Sequence, residues 1–302
     1  MKRTDFILGR RIQGNLGPTQ TDPLSQLPGK IMAPCVNITG TEQDIYLATV
    51  AQNYALGSRM VVDERTFRYC RAGGILGPTQ TYRLSISADQ CLQNNDRFPV
   101  AAIAGDLVVV VDITAAGCPW GAFAFQGGTV GLNELAGGWL EIWTIAGGAP
   151  YMHRRIVGNT ASIAGAPATI TITLEQPLTW PINAGPANWV TIQHNIYRNV
   201  QNPGLAGLVG FQSAVCLAPI EVANGWFFWG QTWGPCFVAP RGPGWPGAVA
   251  EFRDVYLWQD GTIVSSQALG IGVGADNSPM RVGYAIPAGN YGTGMIMLQL
   301  AP

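Results

Sequence analysis

The residues that could do chemistry are few and scattered. The only two histidines are His153 and His194. Two isolated imidazoles cannot by themselves complete a common zinc site. Neither lies in an H-E-x-x-H helix motif, and the chain has no G-x-S-x-G nucleophile elbow to pair with a histidine base. Each histidine is expected to be structural or on the surface. The six cysteines, Cys35, Cys70, Cys91, Cys118, Cys216 and Cys236, contain no C-x-x-C pair, so no metal-binding spacing is present. The carboxylate pairs Glu134 with Glu141 and Glu251 with Asp254 are close in sequence. Glycoside hydrolysis needs two such groups on either side of the scissile bond. Spacing alone does not give their separation in space.

Glycine-rich stretches suggest phosphate cradles, but the detail is wrong for one. Gly270-Ile271-Gly272-Val273-Gly274 lacks the third spacing of G-x-G-x-x-G, and no helical pattern follows it. The only lysines, Lys2 and Lys30, do not sit in a P-loop. Trp226, Trp229 and Trp233 could stack sugar rings. Gln231-Thr232-Trp233 also matches the Gln-x-Trp triplet of ricin-type lectins, in one copy where such lectins carry several. On these grounds no catalytic residue, metal or cofactor is expected.

The elements that must position these residues follow from composition. The chain has 302 residues, with 17 Lys+Arg against 18 Asp+Glu, and only 12% of residues are charged. The usual charged share is roughly 25%. Spread over the surface of a compact monomer this size, that is roughly one charge per 350 Å². Such a surface suits a protein partly covered by other subunits. Near-neutral charge argues against a nucleic-acid partner. No apolar run reaches membrane-spanning length; the best, Leu107 to Val111, is bracketed by Asp106 and Asp112. Met1-Lys2-Arg3-Thr4-Asp5-Phe6 lacks the apolar core of an export signal, so no membrane association is expected and buried free thiols are favoured over disulfides.

With 39 Gly and 21 Pro, long helices are excluded. Residues 1–42 read as an extended N-terminal arm, with Arg3, Arg10 and Arg11 near its start. Its apolar residues, Ile7, Leu8, Ile12, Leu24, Leu27, Ile31 and Met32, favour docking against a neighbour over solvation. Strands are expected at 44–50, 59–62, 66–71, 81–86, 107–113, 168–174, 189–192, 225–236 and 295–300. Leu107 to Ile113 reads as a doubly buried strand. Thr169 to Leu174 alternates with Ile170, Ile172 and Leu174 inward. A hairpin over 255–264 turns at Asp260-Gly261. A soft boundary in the turn-rich Asn199 to Gly210 stretch gives β-rich domains at 43–205 and 206–302. The fold class is all-β: antiparallel sandwich or barrel modules carrying an N-terminal arm. The aromatic run Gly225 to Cys236 places rings on both faces of one strand. It needs a core on one side and a partner, or a second layer, on the other.

Three stretches resemble a known family. Asp63-Glu64-Arg65-Thr66-Phe67-Arg68-Tyr69-Cys70-Arg71-Ala72-Gly73 is one. Trp139-Leu140-Glu141-Ile142-Trp143, with Phe125 to Val130 before it and Ile170 to Leu178 after it, is the second. The third is Asn195 to Val200 with Phe227-Phe228-Trp229-Gly230-Gln231-Thr232-Trp233-Gly234-Pro235-Cys236. Together they are similar to the head decoration, or cement, proteins of tailed phages. This chain has Gly230 where that family usually has a β-branched residue. The resemblance implies a non-enzymatic virion protein on the capsid exterior, bound to the major capsid protein and forming a homotrimer. Arg3, Arg10, Arg11, Trp226, Phe228, Trp229 and Trp233 are the candidate contacts, with core packing the competing role for two of the four aromatics. The alternative is a head-fibre or tail adsorption protein that binds host glycans.

Overall fold

The computed structural model describes residues 37–77, 82–87, 92–95, 98–113, 130–144, 151–162, 169–184, 188–203, 213–241, 253–258, 260–265, 280–286 and 294–302. Arg3, Arg10 and Arg11 lie outside them. The described chain is all-β, with one short 3₁₀ turn.

The chain divides into two compact units, and one interrupts the other. Residues 35–88 and 197–302 belong to the first unit, and residues 89–196 to the second. The division expected near residue 206 therefore falls inside the first unit. A linear reading cannot see this, because strands on both sides of the second unit pair with each other.

In the first unit the strands are β1 (Asn37–Thr39), β2 (Arg59–Val62), β3 (Arg65–Arg71) and β4 (Leu84–Ser87). After the interruption come β11 (Val200–Gln201), β12 (Ala214–Leu217), β13 (Phe227–Phe237), β14 (Asp254–Leu257), β15 (Ile263–Ser265), β16 (Arg281–Ala285) and β17 (Met295–Gln299). The main path runs β1-β2-β3-β13-β17-β16-β14-β15, and β12 joins β13 to β4. β1 begins within the expected arm and pairs parallel with β2, so the last arm residues are part of the sheet.

β13 organises this unit. Its first part pairs with β3, from Phe227 opposite Arg71 to Trp233 opposite Thr66. Its second part pairs with β17, from Trp233 opposite Gln299 to Phe237 opposite Met295. The register shifts between Gln231 and Trp233, where the strand changes partners. Gln231 is buried there, and its amide donates to the carbonyls of Trp233 (3.1 Å) and Pro235 (3.0 Å). These bonds satisfy a polar group that burial would otherwise penalise. Gly234 follows at φ +98°, and a Cβ there would lie 2.7 Å from the Glu64 carbonyl oxygen. Only glycine fits that approach at that angle.

The Asp260-Gly261 turn behaves as the sequence indicates. β14 and β15 pair antiparallel, Gly261 takes φ +83°, and Asp260 Oδ1 accepts the Thr262 N–H at 3.1 Å. The expected strand at 44–50 does not form. Asp44–Tyr46 is instead a 3₁₀ turn whose Asp44 carboxylate accepts the Thr41 N–H (2.7 Å) and hydroxyl (2.8 Å). This local side-chain bonding competes successfully with a strand ladder.

The second unit is a six-stranded antiparallel sheet. Its strands are β5 (Leu92–Asn95), β6 (Val108–Asp112), β7 (Trp139–Thr144), β8 (Met152–Asn159), β9 (Thr169–Leu174) and β10 (Asn188–Gln193), in the order β5-β10-β7-β8-β9-β6. One face meets a single core that includes Val109, Val111, Leu140, Ile142, Ile170, Ile172, Val190 and Ile192. Ile170, Ile172 and Leu174 point inward as the alternation indicates. The Val-rich strand β6 is not doubly buried. Val109 and Val111 are in the core, but Val108 is 46% exposed. On its second face Val110 and Asp112 are half-buried, so that face is only partly covered.

Candidate interaction surfaces

The rings of β13 separate into core and surface. Phe228 is fully buried among Cys70, Ala72, Leu76, Val200, Val215 and Cys216. Trp229 packs on the opposite face, with ring centroids 4.9 Å from Tyr69 and 5.2 Å from Tyr54. The second layer that this strand requires is thus supplied by the chain itself, on both faces. Phe228 and Trp229 are core residues and cannot be capsid contacts on this surface. Trp233 is half-buried, and Trp226 is 38% exposed.

Trp226 has exposed apolar company. Thr49 and Phe227 form an antiparallel bridge, with both N–H···O bonds made (2.9 and 2.8 Å). The bridge sets Val50 opposite Trp226 in register. Val50 and Leu47 are both well exposed. Val50 and Trp226 therefore stand side by side as exposed apolar residues at the start of β13.

Two of the four candidate carboxylates, Glu134 and Asp254, are engaged in local structure. Glu134 accepts the Gly131 N–H at 2.5 Å. Asp254 accepts from the Arg281 guanidinium at 2.9 Å, and Glu251 lies outside the described residues. The Gln-x-Trp triplet is likewise structural, since Gln231 serves its own strand and Thr232 donates to the Ala301 carbonyl at 2.6 Å. His194 is buried and His153 is on the surface.

Cys70, Cys216 and Cys236 are free thiols, all buried; Cys35, Cys91 and Cys118 lie outside the described residues. Burial pushes the Cys236 thiol up to about 12. Burial first, and then the neighbouring Cys216, hold the Cys70 thiol well above its ordinary value. Such thiols are poor nucleophiles and poor metal ligands. Among the described residues no group of three or more His, Cys, Asp or Glu could hold a metal ion.

The second unit carries a surface that sequence reasoning missed. Trp139, Glu141 and Trp143 occupy alternate positions on the outer face of β7. The β7–β8 register sets Glu141 opposite His153, and its continuation sets Trp143 opposite Tyr151. Across β10, Gln193 stands opposite Trp139. The rings touch in a chain: Trp139 to His153 at 5.7 Å, His153 to Tyr151 at 5.7 Å and Tyr151 to Trp143 at 6.1 Å between centroids. Trp139 is 41% exposed and Tyr151 49%. Desolvation, and then the hydrogen-bonded Glu141 carboxylate, hold the Tyr151 phenol above its ordinary value. The available signal was the period-two pattern Trp139-x-Glu141-x-Trp143, answered by Tyr151-x-His153.

Comparison with known families, curated proteins and solved structures finds no match for this chain.

Proposed function

We propose that this chain is a non-enzymatic virion structural protein that binds the outside of a tailed-phage capsid and cements the lattice of major capsid proteins. The exposed apolar pair Val50 and Trp226 carries the reading. A sparsely charged chain that leaves such residues open at the end of a rigid strand presents a contact surface for another subunit. Two further observations support it. One of the stretches that resemble decoration proteins includes most of β13, the strand around which the first unit is built. The carboxylates Glu134 and Asp254 are held in structural bonds rather than presented to a substrate.

Cementing works by mass action: a protein that binds the assembled lattice and not the free subunits stabilises the lattice. A homotrimer at local threefold axes matches the symmetry of such sites. The arm residues Arg3, Arg10 and Arg11 would add bidentate contacts to neighbouring subunits.

Quantitative mass spectrometry of gradient-purified particles tests this. Coverage of the whole lattice gives a ratio to major capsid protein between about one third and one, according to the symmetry of the site. A ratio of a few per cent of that moves the chain to a vertex, tail or fibre. That result would favour the glycan-adsorption alternative. Absence from particles overturns both.

A further inference from the structure

We propose that the outer face of β7 and β8 in the second unit is a carbohydrate-binding platform for a neutral oligosaccharide. The inference stands apart from the capsid reading, because it rests on the geometry of a face in the second unit and not on the resemblance or on the Val50 and Trp226 surface.

The argument starts from what the face offers. Trp139 and Tyr151 present open ring surface, and Trp143 extends it. The apolar C–H face of a pyranose is the natural partner of an exposed ring that also has polar groups at its edge. Between the rings stand Glu141, which only accepts hydrogen bonds, and His153, which both donates and accepts. Gln193 adds an amide that does the same beside Trp139. Alternating rings and hydrogen-bonding groups match a chain of sugar rings edged with hydroxyls.

The charge balance selects a neutral occupant. Glu141 is the one carboxylate within the ring chain, and Arg155, opposite Trp139, lies 4.0 Å from Glu175. A face with that balance does not attract a phosphate backbone or an anionic polymer. A second protein copy fits poorly too. The centre of a subunit interface is depleted in charge, and here a carboxylate and an imidazole occupy the centre.

The length of the platform sets the size of the ligand. Trp139 and Trp143 are four residues apart on one strand, about 13 Å at the usual rise of about 3.3 Å per residue. That interval exceeds one sugar ring, so the face takes an oligosaccharide rather than a monosaccharide. The strands beneath are fixed by Leu140, Ile142 and Met152 in the core, which hold the rings without help from a ligand.

The test uses the full chain with cellohexaose, maltohexaose, xylohexaose and chitohexaose as probes, by titration calorimetry and saturation-transfer NMR. At least one probe should bind in the micromolar to millimolar range, with transfer from aromatic protons to the sugar. Trp139→Ala should weaken that binding about tenfold or more, equivalent to about 1.4 kcal/mol. Glu141→Gln, which keeps the shape of the side chain, should weaken it several-fold with an unchanged melting temperature. If Trp139→Ala fails to fold, Glu141→Gln and Tyr151→Ala decide. The proposal is overturned if all four probes fail at millimolar concentration, or if the folded variants bind like the parent chain. It is also overturned if Trp139→Ala lowers the oligomeric mass in solution, which would make the face a subunit interface.

Discussion

The Sγ atoms of Cys70 and Cys216 lie 3.9 Å apart, and both thiols reach over Gly230. A Cβ at Gly230 would sit 2.5 Å from the Cys216 sulfur and 3.2 Å from that of Cys70. The two sulfurs thus fill the space that a side chain at residue 230 would occupy. Gly230→Ala should destabilise the chain by about 1–3 kcal/mol, the usual cost of overpacking a core. Urea unfolding checks this. An unchanged midpoint would show that the sulfurs yield freely.

The buried thiols make stability fall at alkaline pH. The folded Cys236 thiol titrates near 12 against an ordinary value of 9.0. Between these values the folded state holds a proton that the unfolded chain releases. Its contribution is fully present below pH 9 and is lost as pH rises toward 12, at up to about 1.4 kcal/mol per pH unit. Tyrosines titrate in the same window, so the comparison is with Cys236→Ala. That variant should lose less stability between pH 8.5 and about 10.5 than the parent. Equal slopes would count against the burial of this thiol.

Core and surface roles on β13 separate by mutation. Phe228→Ala should cost about 3–5 kcal/mol, as expected for a fully buried ring. Trp226→Ala should leave the melting temperature nearly unchanged yet lower occupancy on capsids. Sedimentation of variant protein with stripped particles measures that occupancy. Normal occupancy with Trp226→Ala would remove this residue from the contact surface.

Asn159 holds the loop that leads into β7. Its side chain accepts the Leu135 N–H at 2.9 Å and donates to the carbonyls of Gly131 (2.9 Å) and Thr160 (2.8 Å). Asn159→Ala leaves the buried Leu135 N–H without its partner and should cost about 1–3 kcal/mol. Asn159→Asp keeps the acceptor but loses both donated bonds, and should also be destabilised at neutral pH. Thermal melts of both variants against the parent test the assignment.

Much of the chain was legible from residue order alone. The low charge and dense Gly and Pro gave an all-β protein. The alternation from Thr169 to Leu174 identified an outward-to-core pattern that the structure repeats, and Asp260-Gly261 marked a real hairpin turn. These features depend on neighbours a few residues away, so local periodicity and turn chemistry suffice to find them.

What depends on distant strands was decided only by the tertiary structure. Residues on both sides of 89–196 combine into one sheet, which no composition shift announces. Period two places Phe228 and Trp229 on opposite faces of β13, but it does not tell whether either face meets solvent. The chain covers both, one with the Tyr54 and Tyr69 rings and the other with Cys70, Val215 and Cys216. Conversely, Trp139, Tyr151 and His153 become one surface only because β7 and β8 align in a single register. Alternation assigns side chains to faces, whereas burial requires a second layer, and that layer comes from residues far away in the sequence.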